Sequence, residues 1–289
     1  MGKAIVIKGL QVSNPLAVVT FASADAVLAN YLSANATISN EEKVALTTMV
    51  GGLIESGLWD KMLYFYPMLG NSVSDMIIDV VDQSTEDIFT GASTDGLSIN
   101  NRILRTTSKA SMLKGITTQR FASLSMRDMC FVTAHTCLGT TSTNYSAGEI
   151  FSVMRNSGNK VFLGVGIESG GYRYPQMRVG IDGNDAIVRI PDNNTDAGTQ
   201  ISYKERIILA DYNGTTATIY KDKSVYKSGV NYPVTLNSES NFTIRNILSS
   251  NEYSYDSNFF AIAKHLTDEE WGTFYDLLLP FLQEVGKHA

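Results

Sequence analysis

The rhythm of hydrophobic and polar positions changes twice along the chain and divides it into three parts. In residues 1–22, two short β-prone runs, Lys3–Lys8 and Leu16–Phe21, flank Val12-Ser13-Asn14-Pro15, where proline favours a turn or an extended break. An arm or a hairpin fits that pattern. From Ser23 to Ser33 the spacing becomes helical, with Ala26, Val27, Ala29 and Leu32 on neighbouring turns. Ser39-Asn40-Glu41-Glu42 then reads as a capping box ahead of a longer helix. In that helix Val44, Leu46, Met49, Val50, Leu53 and Ile54 recur at three- and four-residue steps until Gly57 allows a break. Their face must be buried against the rest of the chain or another subunit. The run Leu58–Tyr66 is apolar almost all round before Pro67, which predicts further helix enclosed on most sides.

After about Gly70 the composition shifts to Ser, Thr, Asn and Gly, and short β-rich runs alternate with turn signals. The clearest runs are Met129–Ala134, Ile150–Arg155, Lys160–Ile167, Gln176–Ile181, Ala186–Ile190, Arg206–Tyr212, Thr216–Lys221, Asn241–Ile247 and Phe259–Ala263. Tyr212-Asn213-Gly214-Thr215 is the strongest hairpin signal, since Asn-Gly supplies both positive-φ positions of a type I′ turn. Many short strands without intervening long helices predict a mainly β, antiparallel two-sheet jelly-roll sandwich. Thr267-Asp268-Glu269-Glu270 caps a closing helix whose Trp271, Phe274, Leu277, Leu278 and Leu282 give it a broad apolar side. The expected organisation is residues 1–22 as an arm, 23–70 as a helical segment and 71–289 as the sandwich with its C-terminal helix.

At 289 residues and 44% hydrophobic content the chain can bury a large core. A net charge of −6, with 18% charged residues, leaves no basic stripe for phosphate neutralisation, so nucleic acid is not expected as a partner. The apolar run Ala4–Ile7 is too short for a signal peptide, and no stretch approaches the ~20 apolar residues of a membrane-spanning helix. Cys130 and Cys137 on one extended strand would lie roughly 23 Å apart and face opposite sides, which favours reduced, packed thiols.

Candidate chemistry is sparse. The only histidines, His135, His265 and His288, match no nucleophile–base arrangement, and no Gly-x-Ser-x-Gly elbow, phosphate loop or His-Glu-x-x-His helix occurs. His135 and Cys137 would share a strand face, but two ligands do not close a metal site. Glycoside hydrolysis needs paired carboxylates, whereas Glu149, Glu168 and Glu205 each stand alone. Asp79-Val80-Val81-Asp82 and Asp268-Glu269-Glu270 fit solvated turns or helix starts. No enzyme, cofactor or metal is expected. The candidate glycan contacts are Tyr172, Arg173 and Tyr174 behind Gly170-Gly171, with Tyr253 and Tyr255 in a polar loop, because sugars stack on such rings. Asp192, Asn193, Asn194, Thr195 and Asp196 offer oxygen atoms of the kind calcium takes, in a pattern equally typical of a turn.

Gly57-Leu58-Trp59-Asp60-Lys61-Met62, followed by Tyr66-Pro67-Met68-Leu69-Gly70, resembles a group of phage and prophage structural proteins. In them a Gly-Leu-Trp-x-Lys-Met helix ending in Tyr-Pro precedes a concanavalin A-like, laminin-G-like sandwich. Phe259–Ala263 running into Leu266-Thr267-Asp268-Glu269-Glu270 is similar to the last strand and closing helix of that group. Ile7–Leu16 resembles the attachment arms of phage appendage proteins. The resemblance implies a virion appendage, a head fibre, tail fibre or capsid decoration, made in the bacterial cytoplasm. It would be held to other virion proteins by residues 1–22, trimeric through residues 23–66, and able to meet a host-surface glycan. A lectin module outside a virion is the alternative, and after it a glycoside hydrolase of the same fold. No catalytic or binding residue is carried over.

Overall fold

In the computed structural model the described residues are 23–81, 97–106, 112–114, 129–139, 148–155, 160–167, 175–179, 186–189, 206–213, 216–231, 242–247 and 253–288. Two helices open this part of the chain. Helix α1 (Ala24–Ala34) starts where Ser23 Oγ accepts the amide of Ala26, and α2 (Asn40–Glu55) starts on the predicted capping box. Ser39 Oγ accepts the Glu42 amide, and Glu42 Oε2 accepts the Ser39 amide at 2.8 Å. Leu46, Met49, Val50 and Leu53 of α2 are buried as expected. Val44 is not: it is 67% exposed, because at 100° per residue it lies across the helix from Leu46. Glu42 occupies the buried stripe instead, with Arg102 at 2.5 Å from its carboxylate.

Beyond Gly57, whose φ of 73° ends the helix, the expected helical stretch does not form. A single 3₁₀ turn, Trp59–Lys61, leads into strand β1 (Met62–Tyr66), every residue of which is buried. Enclosure was legible in that all-apolar run; its secondary structure was not, since a strand covered on both faces and a buried helix share the same pattern. The edge of β1 is sealed by the segment around Asp79. The Phe65 amide donates to Asp79 Oδ1 at 2.8 Å, and the Val80 amide donates to the Phe65 carbonyl at 2.9 Å. Asp79 is 1% exposed, which corrects its reading as a solvated turn residue.

A one-turn helix α3 (Val73–Met76) precedes the remaining strands: β2 (Leu97–Asn100), β3 (Ile103–Thr106), β4 (Met112–Lys114), β5 (Met129–Gly139), β6 (Gly148–Arg155) and β7 (Lys160–Ile167). They continue through β8 (Pro175–Val179), β9 (Ala186–Arg189), β10 (Arg206–Tyr212), β11 (Thr216–Lys221), β12 (Ser224–Asn231), β13 (Phe242–Ile247) and β14 (Tyr253–Lys264). The closing helix α4 (Asp268–Glu284) begins on the predicted Thr267/Glu270 capping box.

The strands form two antiparallel sheets, as the sandwich reading expected. One runs β12-β11-β10-β5-β14-β3-β2, with β1 beside β14 next to the end of β3; the other runs β4-β13-β6-β7-β8-β9. Strand β7 packs against β5 and β10, and β6 against β14. Along β5, Cys130, Val132 and Ala134 share one face with Ile207 and Leu209 of β10 and Phe259, Ala261 and Ala263 of β14. That face joins α1, α2 and α4 in one core. The apolar side of α2 is therefore covered within the chain's own core, against α4 and α1. Trp271, Phe274 and Leu278 of α4 are fully buried in the same layer, whereas Leu277 is only half-buried. Phe131, Ile208, Ala210, Phe260 and Ile262 alternate onto the opposite face and are buried too. No helix among the described residues is long and apolar enough to cross a membrane.

Candidate functional site

The β10–β11 hairpin extends past the N-terminus of α4, and the apolar layer stops there. The ladder closes with Tyr212 opposite Ala217. Beyond that pair the Asn213 amide donates to the Thr216 carbonyl at 3.2 Å, and Asn213 Oδ1 accepts the Thr216 amide at 2.9 Å. Asn213 thus flanks the turn and is not one of its central residues, because the register carries the pairing one residue further than the Asn-Gly motif suggested. Gly214 and Thr215 lie outside the described residues.

Between this hairpin and the helix start lies an open cleft of about 550 Å³. Its sheet wall is Asp211, Asn213, Thr218 and Tyr220; its other wall is His265, Thr267, Asp268 and Glu269. Strand register assembles the first wall: Asp211 stands directly opposite Thr218, and Tyr220 opposite Leu209, so all three share the helix-facing side of the sheet. The loop from β14 into α4 assembles the second.

The cleft is internally braced. His265 Nδ1 sits 2.7 Å from Oδ2 of Asp211, a carboxylate only 2% exposed, which orients the ring with its Nδ1–H toward the carboxylate. The carbonyl of His265 accepts from Lys61 Nζ at 3.1 Å, and the same ammonium lies 2.5 Å from Glu270. Burial disfavours charge on Glu270, but Lys61 and the Thr267 amide outweigh it and hold this carboxyl below the usual carboxylate range. Tyr220 donates its hydroxyl to Asp268, and its ring lies 6.1 Å from Trp271. Burial, and then the Asp268 carboxylate, push the Tyr220 phenol well above its ordinary pKa. The Trp271 indole N–H donates to the Asp222 carbonyl at 3.0 Å, tying the helix to the turn after β11.

Tyr172, Arg173 and Tyr174 lie outside the described residues, as do Asp192–Asp196, Glu168 and Glu205. Tyr253 and Tyr255 are on β14, paired with Gly139 and Cys137 of β5, and not in a loop. His135 is buried on β5 with its Nδ1 2.6 Å from Thr133 Oγ1, and Cys130 is a buried thiol on the same strand as Cys137. No group of three or more metal-ligating side chains occurs among the described residues. Asp268, Glu269 and Glu270 occupy the first turn of α4, as expected of a helix start. The cleft residue that sequence could have flagged is Asp211, an acidic side chain at the alternation position shared with Ile207 and Leu209.

No protein-family model and no curated protein matches the chain. Solved structures do match its fold. The binding domain of botulinum neurotoxin DC, in complex with rat synaptotagmin II, aligns at 13% identity over 76% of this chain and 52% of its own, with a TM-score of 0.56. The botulinum neurotoxin serotype D ligand-binding domain, in complex with N-acetylneuraminic acid, aligns at 14% identity over 76% and 52%, again at 0.56. A structure titled for the dependence of botulinum neurotoxin type C cell entry on two ganglioside molecules aligns at 12% identity over 78% and 53%, at 0.57. The chain spans about half the length of these neighbours. At such identities the likeness is one of fold, a mainly antiparallel β-sandwich.

Proposed function

We propose that this chain is a non-enzymatic adhesion module displayed on a phage virion. Residues 1–22 attach it to other virion proteins, and the sandwich meets a glycan on the host surface. The observation that carries the adhesive part is the combination of a two-sheet sandwich, of the type seen in ligand-binding domains, with an open, braced polar cleft at the β10–β11 hairpin of one sheet. The virion part is supported by the resemblance of Gly57–Gly70 and Phe259–Glu270 to phage structural proteins.

A trimer built on the helices would have to use surfaces other than the buried stripe of α2, since that stripe is already buried in the chain's own core. Two measurements test the reading together. Antibodies raised to the full chain should decorate phage particles that carry it, and the labelled protein should bind host cells in a way that stripping surface glycans abolishes. Unlabelled particles would remove the virion, and binding indifferent to glycan removal would remove the glycan.

A further inference from the structure

We propose that the cleft between the β10–β11 hairpin and the first turn of α4 is a saccharide site that takes sugars through their hydroxyl groups and turns away sugars bearing an acid group. The inference rests on the adhesion reading and names the ligand class at its site.

Shape comes first. A volume of about 550 Å³ lies inside the ~300–1,000 Å³ span of small-molecule clefts, and the cleft is open, with Asn213, Thr267, Asp268 and Glu269 exposed along it. Its hydrogen-bonding character comes next. The Asp268 and Glu269 carboxylates accept only, and a carboxylate oxygen pair suits the two donors of a vicinal diol. His265 has its Nδ1–H turned to Asp211, so a neutral ring presents Nε2 as a further acceptor. Thr218 and Thr267 hydroxyls can donate to ring and glycosidic oxygens.

Charge then selects among sugars. No lysine or arginine lines the cleft among the described residues, and two nearby ammonium groups are engaged elsewhere. Lys61 is held by Glu270 and the His265 carbonyl, and Lys223 lies 2.6 Å from Asp276. A sugar carboxylate placed here would face Asp268 and Glu269 with no lysine or arginine among the described lining residues to offset them, and like charges at contact distance repel. Several walls are already fixed before any ligand arrives: Tyr220 holds Asp268, Asp211 holds His265, and Thr267 is locked into the capping box. Such preorganisation limits the ordering cost that weak saccharide contacts must overcome.

The test titrates the full chain with methyl glucoside, methyl galactoside, methyl mannoside, N-acetylglucosamine and N-acetylneuraminic acid, read by saturation-transfer NMR and calorimetry. At least one uncharged sugar should bind and N-acetylneuraminic acid should not. The double variant Asp268→Asn with Glu269→Gln, both exposed on the first helical turn, should weaken that binding at least tenfold, and His265→Ala should weaken it as well. Variants are accepted only if their circular dichroism melts match the parent. Binding of N-acetylneuraminic acid as tight as any uncharged sugar overturns the proposal, as does binding that ignores both variants or an absence of binding by every uncharged sugar. If that happens while the chain still adheres to host cells through glycan, the ligand assignment falls and the adhesion reading stands. If adherence is absent as well, both fall.

Discussion

Lys287 donates its ammonium to the main-chain carbonyl of Met68, joining the residue just past the last helix to the strand-to-helix loop that follows β1. The side chain is 2% exposed, and its own carbonyl accepts Asn258 Nδ2 at 2.7 Å. Burial pulls its pKa down to about 7; Glu42 raises it and Arg102 lowers it further. The folded value lies below the unfolded one, so the unfolded chain binds this proton first as pH falls. The contribution to stability is therefore full above the ordinary lysine pKa and is lost between there and pH 7.

Urea midpoints should accordingly rise from pH 7 to pH 9.5, with a slope approaching ~1.4 kcal/mol per pH unit from this group. Lys287→Met should flatten that rise. An unchanged slope in the variant would mean that Lys287 titrates normally. The window stops short of pH 10 because Tyr31, held neutral chiefly by burial, adds an opposite trend above it.

Asp79→Ala should cost roughly 2–3 kcal/mol in urea unfolding, because it strands the buried Phe65 amide at the edge of β1. Asp79→Asn retains an acceptor and should recover about half of that loss. Equal losses for the two would place the role of Asp79 in its charge instead of its hydrogen bonds.

Arg105 and Asp256 face each other across β3 and β14 in a two-point pair, Nε to Oδ1 at 2.6 Å and Nη2 to Oδ2 at 2.7 Å. Arg105→Ala leaves a largely buried carboxylate and should destabilise by about 2–3 kcal/mol. Arg105→Lys should recover little, since an ammonium cannot make both bonds in one plane. A lysine variant as stable as the parent would show that charge alone suffices there.

Gly70 has φ 98°, and a Cβ built on it would come within 2.8 Å of Asn35 Oδ1 and 2.9 Å of both Asp75 Cβ and Thr37 Oγ1. Backbone strain and overpacking act together, so Gly70→Ala should cost about 2–4 kcal/mol in thermal or urea unfolding. A variant within 0.5 kcal/mol of the parent, a margin of about experimental error, would show that this loop relaxes.

Removing residues 1–70 should yield no folded sandwich. Such a chain lacks α1, α2 and β1, which cover one face of the larger sheet and part of one edge of β14. It should aggregate and bind hydrophobic dye, and a monomeric, cooperative melt would contradict this.

Features written in contiguous residues were legible in advance. Both capping boxes are four-residue motifs, and both start helices where expected. Strands bounded by turn residues, such as Lys160–Ile167 and Arg206–Tyr212, fall where alternation placed them. Failures came where tertiary context decides. Leu58–Tyr66 carries no period that separates strand from helix, and its pairing partner lies about two hundred residues away on β14. Asp79 looks like any turn acid until the amide of Phe65 is placed beside it. The cleft was invisible because Asp211, Thr218 and His265 meet only through the register of β10 with β11 and the docking of α4.

The strand order also dictates a schedule for synthesis. Strand β14 lies inside the larger sheet, between β5 on one side and β1 and β3 on the other, yet it comes last in sequence among the described strands. Until residues 253–264 leave the ribosome, β5 presents an open edge and β1 has no partner strand. The helix layer also lacks α4, so the apolar face of the sheet stays wet. Closure of this sheet therefore depends on long-range pairing, which is slow by comparison with the local contacts of helical proteins. During that interval the nascent chain carries open strand edges of the kind to which a neighbouring copy can add.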